Sequence, residues 1–173
     1  MAHSALGLNQ RKSQRSYIIT MKLVVRSSLW ILFIIYILVL VKYLVLDRMH
    51  FGGHYYRSYN LVPFSSIKQY INNREHYNYN TWFMNLMGNL VMLIPLGVLM
   101  PILFNTFRKL WNFIVVLITI NLLIEIAQYY LYLGSADIDD VILNSFGATF
   151  AYIMTRAILK IRLLNKLLFT NMI

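Results

Sequence analysis

The sequence predicts an all-α polytopic membrane protein: a bundle of about four transmembrane helices with a long outward connection between the first two. Three observations carry this expectation. The 173 residues are 59% hydrophobic and only 13% charged, where a soluble domain carries about 25% charge. Four apolar stretches each approach the roughly 20 residues that cross a hydrocarbon core of about 30 Å. Lys and Arg gather on one side of those stretches.

The first stretch runs from about Ser27 to Leu46, and its centre, Leu29–Val41, holds no charge. No small-residue cleavage site follows, because the flank reads Leu46-Asp47-Arg48-Met49. The stretch is therefore expected to be a retained anchor. Residues 47–84 form a Tyr- and Asn-rich connection suited to the headgroup region. The second stretch, about Asn85 to Phe104, is interrupted by Pro95, Gly97 and Pro101. These positions predict a kink that frees backbone carbonyls. The third runs from about Trp111 to Leu133. An acidic loop, Gly134–Asp140, then leads to the fourth, about Val141 to Leu159. The chain divides into a basic arm (1–26), a membrane domain (27–160) and a basic tail (161–173).

Four crossings put both termini on one side, and the charges choose which. The arm (Arg11, Lys12, Arg15, Lys22, Arg26), the second loop (Arg108, Lys109) and the tail (Arg156, Lys160, Arg162, Lys166) hold eleven Lys and Arg. The opposite side holds four: Arg48, Arg57, Lys68 and Arg74. The positive-inside rule predicts cytoplasmic termini in a bacterial cytoplasmic membrane, with the lipid bilayer as the first partner. The net charge of +10 reads as this topology signal, not as a nucleic-acid footprint. With no cysteine, disulfides, zinc-thiolate sites and thiol nucleophiles are excluded.

This topology brings seven polar side chains to one depth just inside the outer surface. Asn85 and Asn89 share a helix face at the start of the second stretch. Glu125 and Gln128 share one near the end of the third, with Glu125 roughly 12 Å below Leu133. Asp137, Asp140 and Asn144 open the fourth. Each also has a structural reading. The asparagines could serve as interhelical glue. Asp137 could be an N-cap, and Asp139 and Asp140 could be favourable charges at a helix start. Gly147, Ala148 and Ala151 read as a packing face. Glu125 points most directly to function, because a carboxylate in hydrocarbon must be protonated, paired or hydrated. Lys42 and Arg57 are its candidate cations.

Four motifs occur in order between Arg57 and Tyr152: Arg57-x-x-Asn60-Leu61-x-Pro63-Phe64; Asn85-x-x-x-Asn89 with Pro95-x-Gly97; Glu125-x-x-Gln128; and Asp137-Ile138-x-Asp140-x-Ile142-x-Asn144-x-x-Gly147. This ordered set resembles the VanZ-like family of small bacterial membrane proteins. The resemblance adds Arg57 and Asn60 to the candidate ligand-binding residues Asn85, Asn89, Glu125, Gln128, Asp137, Asp140 and Asn144. It implies a membrane bundle and a role in susceptibility to teicoplanin, a lipid-bearing glycopeptide, or in handling a lipid-linked component of the cell envelope. Many family members carry an arginine just ahead of the aspartate motif, where this chain has Gly134-Ser135-Ala136.

Three function classes follow. A binding protein would recognise a lipid-linked envelope precursor or lipoglycopeptide, with Arg57 holding an anionic group. An intramembrane enzyme would use Glu125 as general acid or base. No cofactor is required by the sequence, although Asp137, Asp140 and Asn144 would suit a magnesium-like divalent cation. A subunit of a small transporter or channel is the third, disfavoured by four crossings and no internal repeat. The first is the preferred expectation. The sequence leaves the oligomeric state open.

Overall fold

The computed structural model describes residues 2–47 and 58–160, with side chains described over 13–44 and 58–160. Helix α1 spans Ala2–Val41 and continues as a π-helical turn, Lys42–Asp47. Strand β1 (Tyr59–Asn60), helix α2 (Ser65–Asn72) and a 3-10 turn (Arg74–His76) follow. The second crossing is built from α3 (Tyr79–Phe83), a π-helical turn (Met84–Gly88), α4 (Asn89–Met92) and α5 (Ile94–Leu103). Helix α6 (Leu110–Tyr130), strand β2 (Ala136–Asp137) and helix α7 (Ile138–Leu159) complete the fold.

Four helical spans are long and apolar enough to cross a membrane: Ser13–Leu44, Tyr79–Leu103, Leu110–Tyr130 and Ile138–Leu159. This is an all-α, multi-pass membrane protein. The helix that carries the first span begins well before Ser27, and α1 shows no backbone break at residue 26. The basic tail 161–173 lies outside the described residues. The second span begins six residues earlier than the hydropathy suggests. Asn78 caps it, its side chain accepting from the Thr81 N–H at 2.7 Å. The connection before it carries more regular structure than an unstructured interfacial segment would.

The kink in the second span follows from Pro95. Leu93 leaves helical geometry (φ −98°, ψ 7°), and the Leu96 N–H bonds the Leu93 carbonyl at 3.1 Å. In a continuous helix that N–H would bond Met92 four residues back. The freed Met92 carbonyl accepts from the Tyr36 hydroxyl of α1 at 2.9 Å instead. A side chain thus satisfies a carbonyl that lipid could not.

Helix α7 packs most closely on α4 and α5, and two glycines set the approach. A Cβ on Gly147 would overlap the Leu90 carbonyl oxygen. A Cβ on Gly97 would overlap the Ala148 carbonyl oxygen and reach within 2.9 Å of the Tyr152 nitrogen. Small residues permit this backbone contact, which supplies the dispersion that holds helices together in lipid. The core gathers Leu93, Leu96, Phe113, Leu117, Ala148 and Tyr152, with the Phe113 and Tyr152 rings stacked at 4.5 Å. Most of α1 presents apolar side chains such as Ile31, Ile35 and Leu38 outward, as a lipid-facing helix does.

Candidate functional site

The site lies at the end of the bundle where α6 gives way to α7. Tyr132 adopts a left-handed conformation (φ 57°), and the Leu133 N–H returns to the Gln128 carbonyl at 2.9 Å. This turn ends α6. The chain then pairs in parallel with a segment some 77 residues away, Tyr59 opposite Ala136 and Asn60 opposite Asp137. The Ala136 N–H bonds the Ser58 carbonyl at 3.1 Å, which draws the first connection over the end of the bundle.

Glu125 braces this arrangement. It is buried at 7% exposure, and its Oε2 accepts from the Asp137 N–H at 2.8 Å. Asp137 is the N-cap of α7, with Oδ1 accepting from the Asp139 N–H at 2.9 Å. The same oxygen accepts from Asn60 Nδ2 at 3.3 Å, and Oδ2 accepts from the Ser66 hydroxyl. Asp140 accepts from Asn89 Nδ2, which also donates to the Asn85 carbonyl at 3.1 Å. Asn60, Glu125 and Asp137 therefore form one hydrogen-bonded group and Asn89 and Asp140 a second, both at this end of the bundle. Asn85 joins neither through its side chain, which turns back to the Thr81 carbonyl at 2.7 Å.

Asn144 and Gln128 lie deeper and behave differently. Asn144 is 1% exposed, and neither its Nδ2 nor its Oδ1 has a hydrogen-bond partner among the described residues. Gln128 is 3% exposed, and its Oε1 is likewise without one. Buried amides are almost always satisfied, and each orphaned group costs about 1–3 kcal/mol. Arg57 lies outside the described residues, next to Ser58, whose carbonyl is fixed to β2. Lys42 sits on the π-helical turn that packs against α6, the helix bearing Glu125.

Asp139 holds a part that the sequence left to an ordinary helix start. It is 1% exposed and binds the N-terminus of α2, with one oxygen accepting from the Phe64 N–H and the other from the Ile67 N–H at 3.0 Å. Phe64 is left-handed (φ 64°), and α2 has no cap of its own from that residue. Asp139 supplies the negative charge favoured at that helix end. Asn121 was also legible in principle, because it lies four residues before Glu125 on the same face. Its Nδ2 donates to the Leu117 carbonyl at 3.0 Å and to Ser145 Oγ at 3.2 Å, extending the polar stripe between α6 and α7. Ser66 carried no comparable signal.

The carboxylates are thus solvated mainly by N–H, amide and hydroxyl donors. Asp137 directs both oxygens at such donors. Among the described residues no three His, Cys, Asp or Glu side chains cluster at metal-binding distance. The local field is negative. Tyr70, on α2 outside the spans, is pushed above its ordinary value first by burial, then by Tyr77, Asp140 and Asp137. Around the cluster, Tyr59, Leu61, Val62 and Phe64 are exposed apolar groups, with Tyr59 edge-on to Tyr129 at 6.3 Å.

The VanZ/LLP1 family matches residues 30–160, which covers three quarters of the sequence and every described candidate residue. Protein VanZ of Enterococcus faecium is 30% identical over 115 residues, covering 64% of this chain. The chain spans 63% of that relative's length. No solved structure matches. On the family match, the chain belongs to the VanZ/LLP1 family.

Proposed function

We propose that this protein binds a lipid-linked component of the cell envelope, or a lipoglycopeptide such as teicoplanin, at the Asp137 end of its bundle and so alters glycopeptide susceptibility. In this reading the site end faces outward and both termini are cytoplasmic, as the distribution of Lys and Arg favours. The observation that carries it is Asn144: a buried amide with no partner among the described residues at either atom, one helical turn beyond Asp140. A packing residue would be apolar or satisfied there. An amide left open to an incoming donor and acceptor suits ligand recognition. The exposed apolar rim of Tyr59, Leu61, Val62 and Phe64 suits an acyl chain or ring. Arg57, one residue before the pinned Ser58, supplies a cation for a phosphate or carboxylate.

The test is teicoplanin susceptibility of a sensitive Gram-positive host expressing wild type, Arg57→Ala, Asn144→Leu, Asp140→Asn or Glu125→Gln, with membrane abundance measured for each. Wild type protects, and Arg57→Ala and Asn144→Leu lose protection at normal abundance. Glu125→Gln keeps an acceptor oxygen for the Asp137 N–H and retains protection if binding suffices. Loss in Glu125→Gln alone would point to proton transfer. Equal protection by every variant would refute the site.

A further inference from the structure

We propose that the opposite end of the bundle is a second site, in which Arg26, Arg108 and Arg156 bind the phosphate of an anionic membrane lipid. Three different parts of the chain deliver these guanidinium groups, and aromatic contacts fix where they meet. Arg26 lies one helical turn before Trp30, whose ring packs edge-on against Phe104 at 5.1 Å. Phe104 packs against Phe107 at 5.6 Å, and Arg108 follows directly. From the fourth span, the Tyr152 hydroxyl donates to the Arg108 carbonyl at 2.9 Å. Arg156 lies one turn beyond Tyr152 and its side chain faces that hydroxyl. The first span, the second loop and the fourth span therefore converge on Arg108.

Among the described residues the charge here is of one sign. All six acidic residues of the chain are elsewhere in the sequence: Asp47, Glu75, Glu125, Asp137, Asp139 and Asp140. Four of them belong to the cluster at the other end, and Asp47 follows Arg26 by roughly 30 Å of helix. Arg108 and Arg156 are half-buried, so water screens their repulsion poorly. Burial first, and then the neighbouring Arg156 and Arg26, hold Arg108 below its ordinary value. An anion at this point relieves both effects. Guanidinium forks match phosphate oxygens in pairs, and basic pockets between membrane helices take lipid headgroups. The leaflet supplies such a phosphate at the required depth, at the ends of the spans, with acyl chains lying along the exposed apolar face of α1.

The experiment uses the full chain purified in a neutral detergent, with thermal unfolding followed as phosphatidylglycerol, phosphatidylcholine or inorganic phosphate is added. Phosphatidylglycerol raises the unfolding midpoint saturably, while phosphatidylcholine does not. Arg108→Gln and Arg156→Gln each raise the lipid concentration for half-effect about tenfold, a loss near 1.4 kcal/mol. Arg15→Gln, an exposed charge further along α1, leaves it unchanged. The wild-type lipid comparison stands even if one variant fails to fold. An equal response to phosphatidylcholine would overturn the proposal, as would an equal loss in Arg15→Gln, which would mean diffuse attraction. Saturation by inorganic phosphate alone would assign the site to a soluble anion and overturn the lipid source.

Discussion

Replacing Asn144 with leucine should make the protein more stable and less functional. The two side chains branch alike at Cγ, so leucine keeps the heavy-atom shape of a residue that is 1% exposed, although its two methyls are bulkier than the amide atoms they replace and overpacking works against the gain. The change removes a donor and an acceptor that have no partner among the described residues. Each such atom costs about 1–3 kcal/mol, and replacement by an apolar group of the same shape recovers that cost. Taking the lower bound for both atoms gives about 2 kcal/mol of stabilisation. For a chain of this length that corresponds to a rise of roughly 4–8 °C in unfolding midpoint. The assay is thermal unfolding of wild type and variant in the same detergent, alongside protection at matched membrane abundance. A higher midpoint with lost protection is the pattern of a residue retained for function against stability. A lower midpoint would show that the amide is satisfied within the folded protein, and the reasoning would fail at its first step. A higher midpoint with full protection would keep the energetics and remove Asn144 from the site.

Other outcomes follow from the same geometry. Asp139→Ala should destabilise by about 3 kcal/mol, since two hydrogen bonds to a charged group are lost and the N-terminus of α2 is released; the loss should show as faster proteolysis within Ser65–Asn72 before global unfolding. Gly147→Val should lower abundance and unfolding midpoint sharply, because its side chain meets the Leu90 carbonyl and forces α4 and α7 apart; Phe146→Ala, on an exposed position beside it, serves as control. Tyr70 is favoured in its neutral form by burial and nearby negative charge, so the stability it contributes is present below its ordinary value of about 10 and is lost as pH rises past it. Tyr70→Phe should flatten that alkaline loss and leave stability at neutral pH little changed.

The ordered motifs made most of the candidate site legible before any coordinates. Helix periodicity and the number of crossings account for Asn89, Glu125 and Asp140 lying at one end of the bundle, whereas Asn60 was indicated only by the family resemblance. Asn85 shows where that argument weakens. It shares a face with Asn89 by spacing, yet its side chain bonds the Thr81 carbonyl one turn back on its own helix. Asp139 shows the opposite failure. Next to a helix start, any aspartate looks like a helix-dipole charge, and nothing local reveals that its partner is the beginning of another helix 72 residues earlier.

The sequence by itself determined the four crossings, the kink at Pro95, the close-packing face at Gly147 and the family. The first three follow from hydropathy, missing donors and residue size, which act over a few residues, and the family follows from the ordered motifs. The tertiary structure alone decided which carboxylate meets which donor. It also decided that β1 pairs with β2 in parallel, that the Met92 carbonyl is satisfied by Tyr36, and that Arg26, Arg108 and Arg156 share one end. Those outcomes depend on the path of the chain between distant residues, and in a membrane that path is set by satisfying every buried polar group at once.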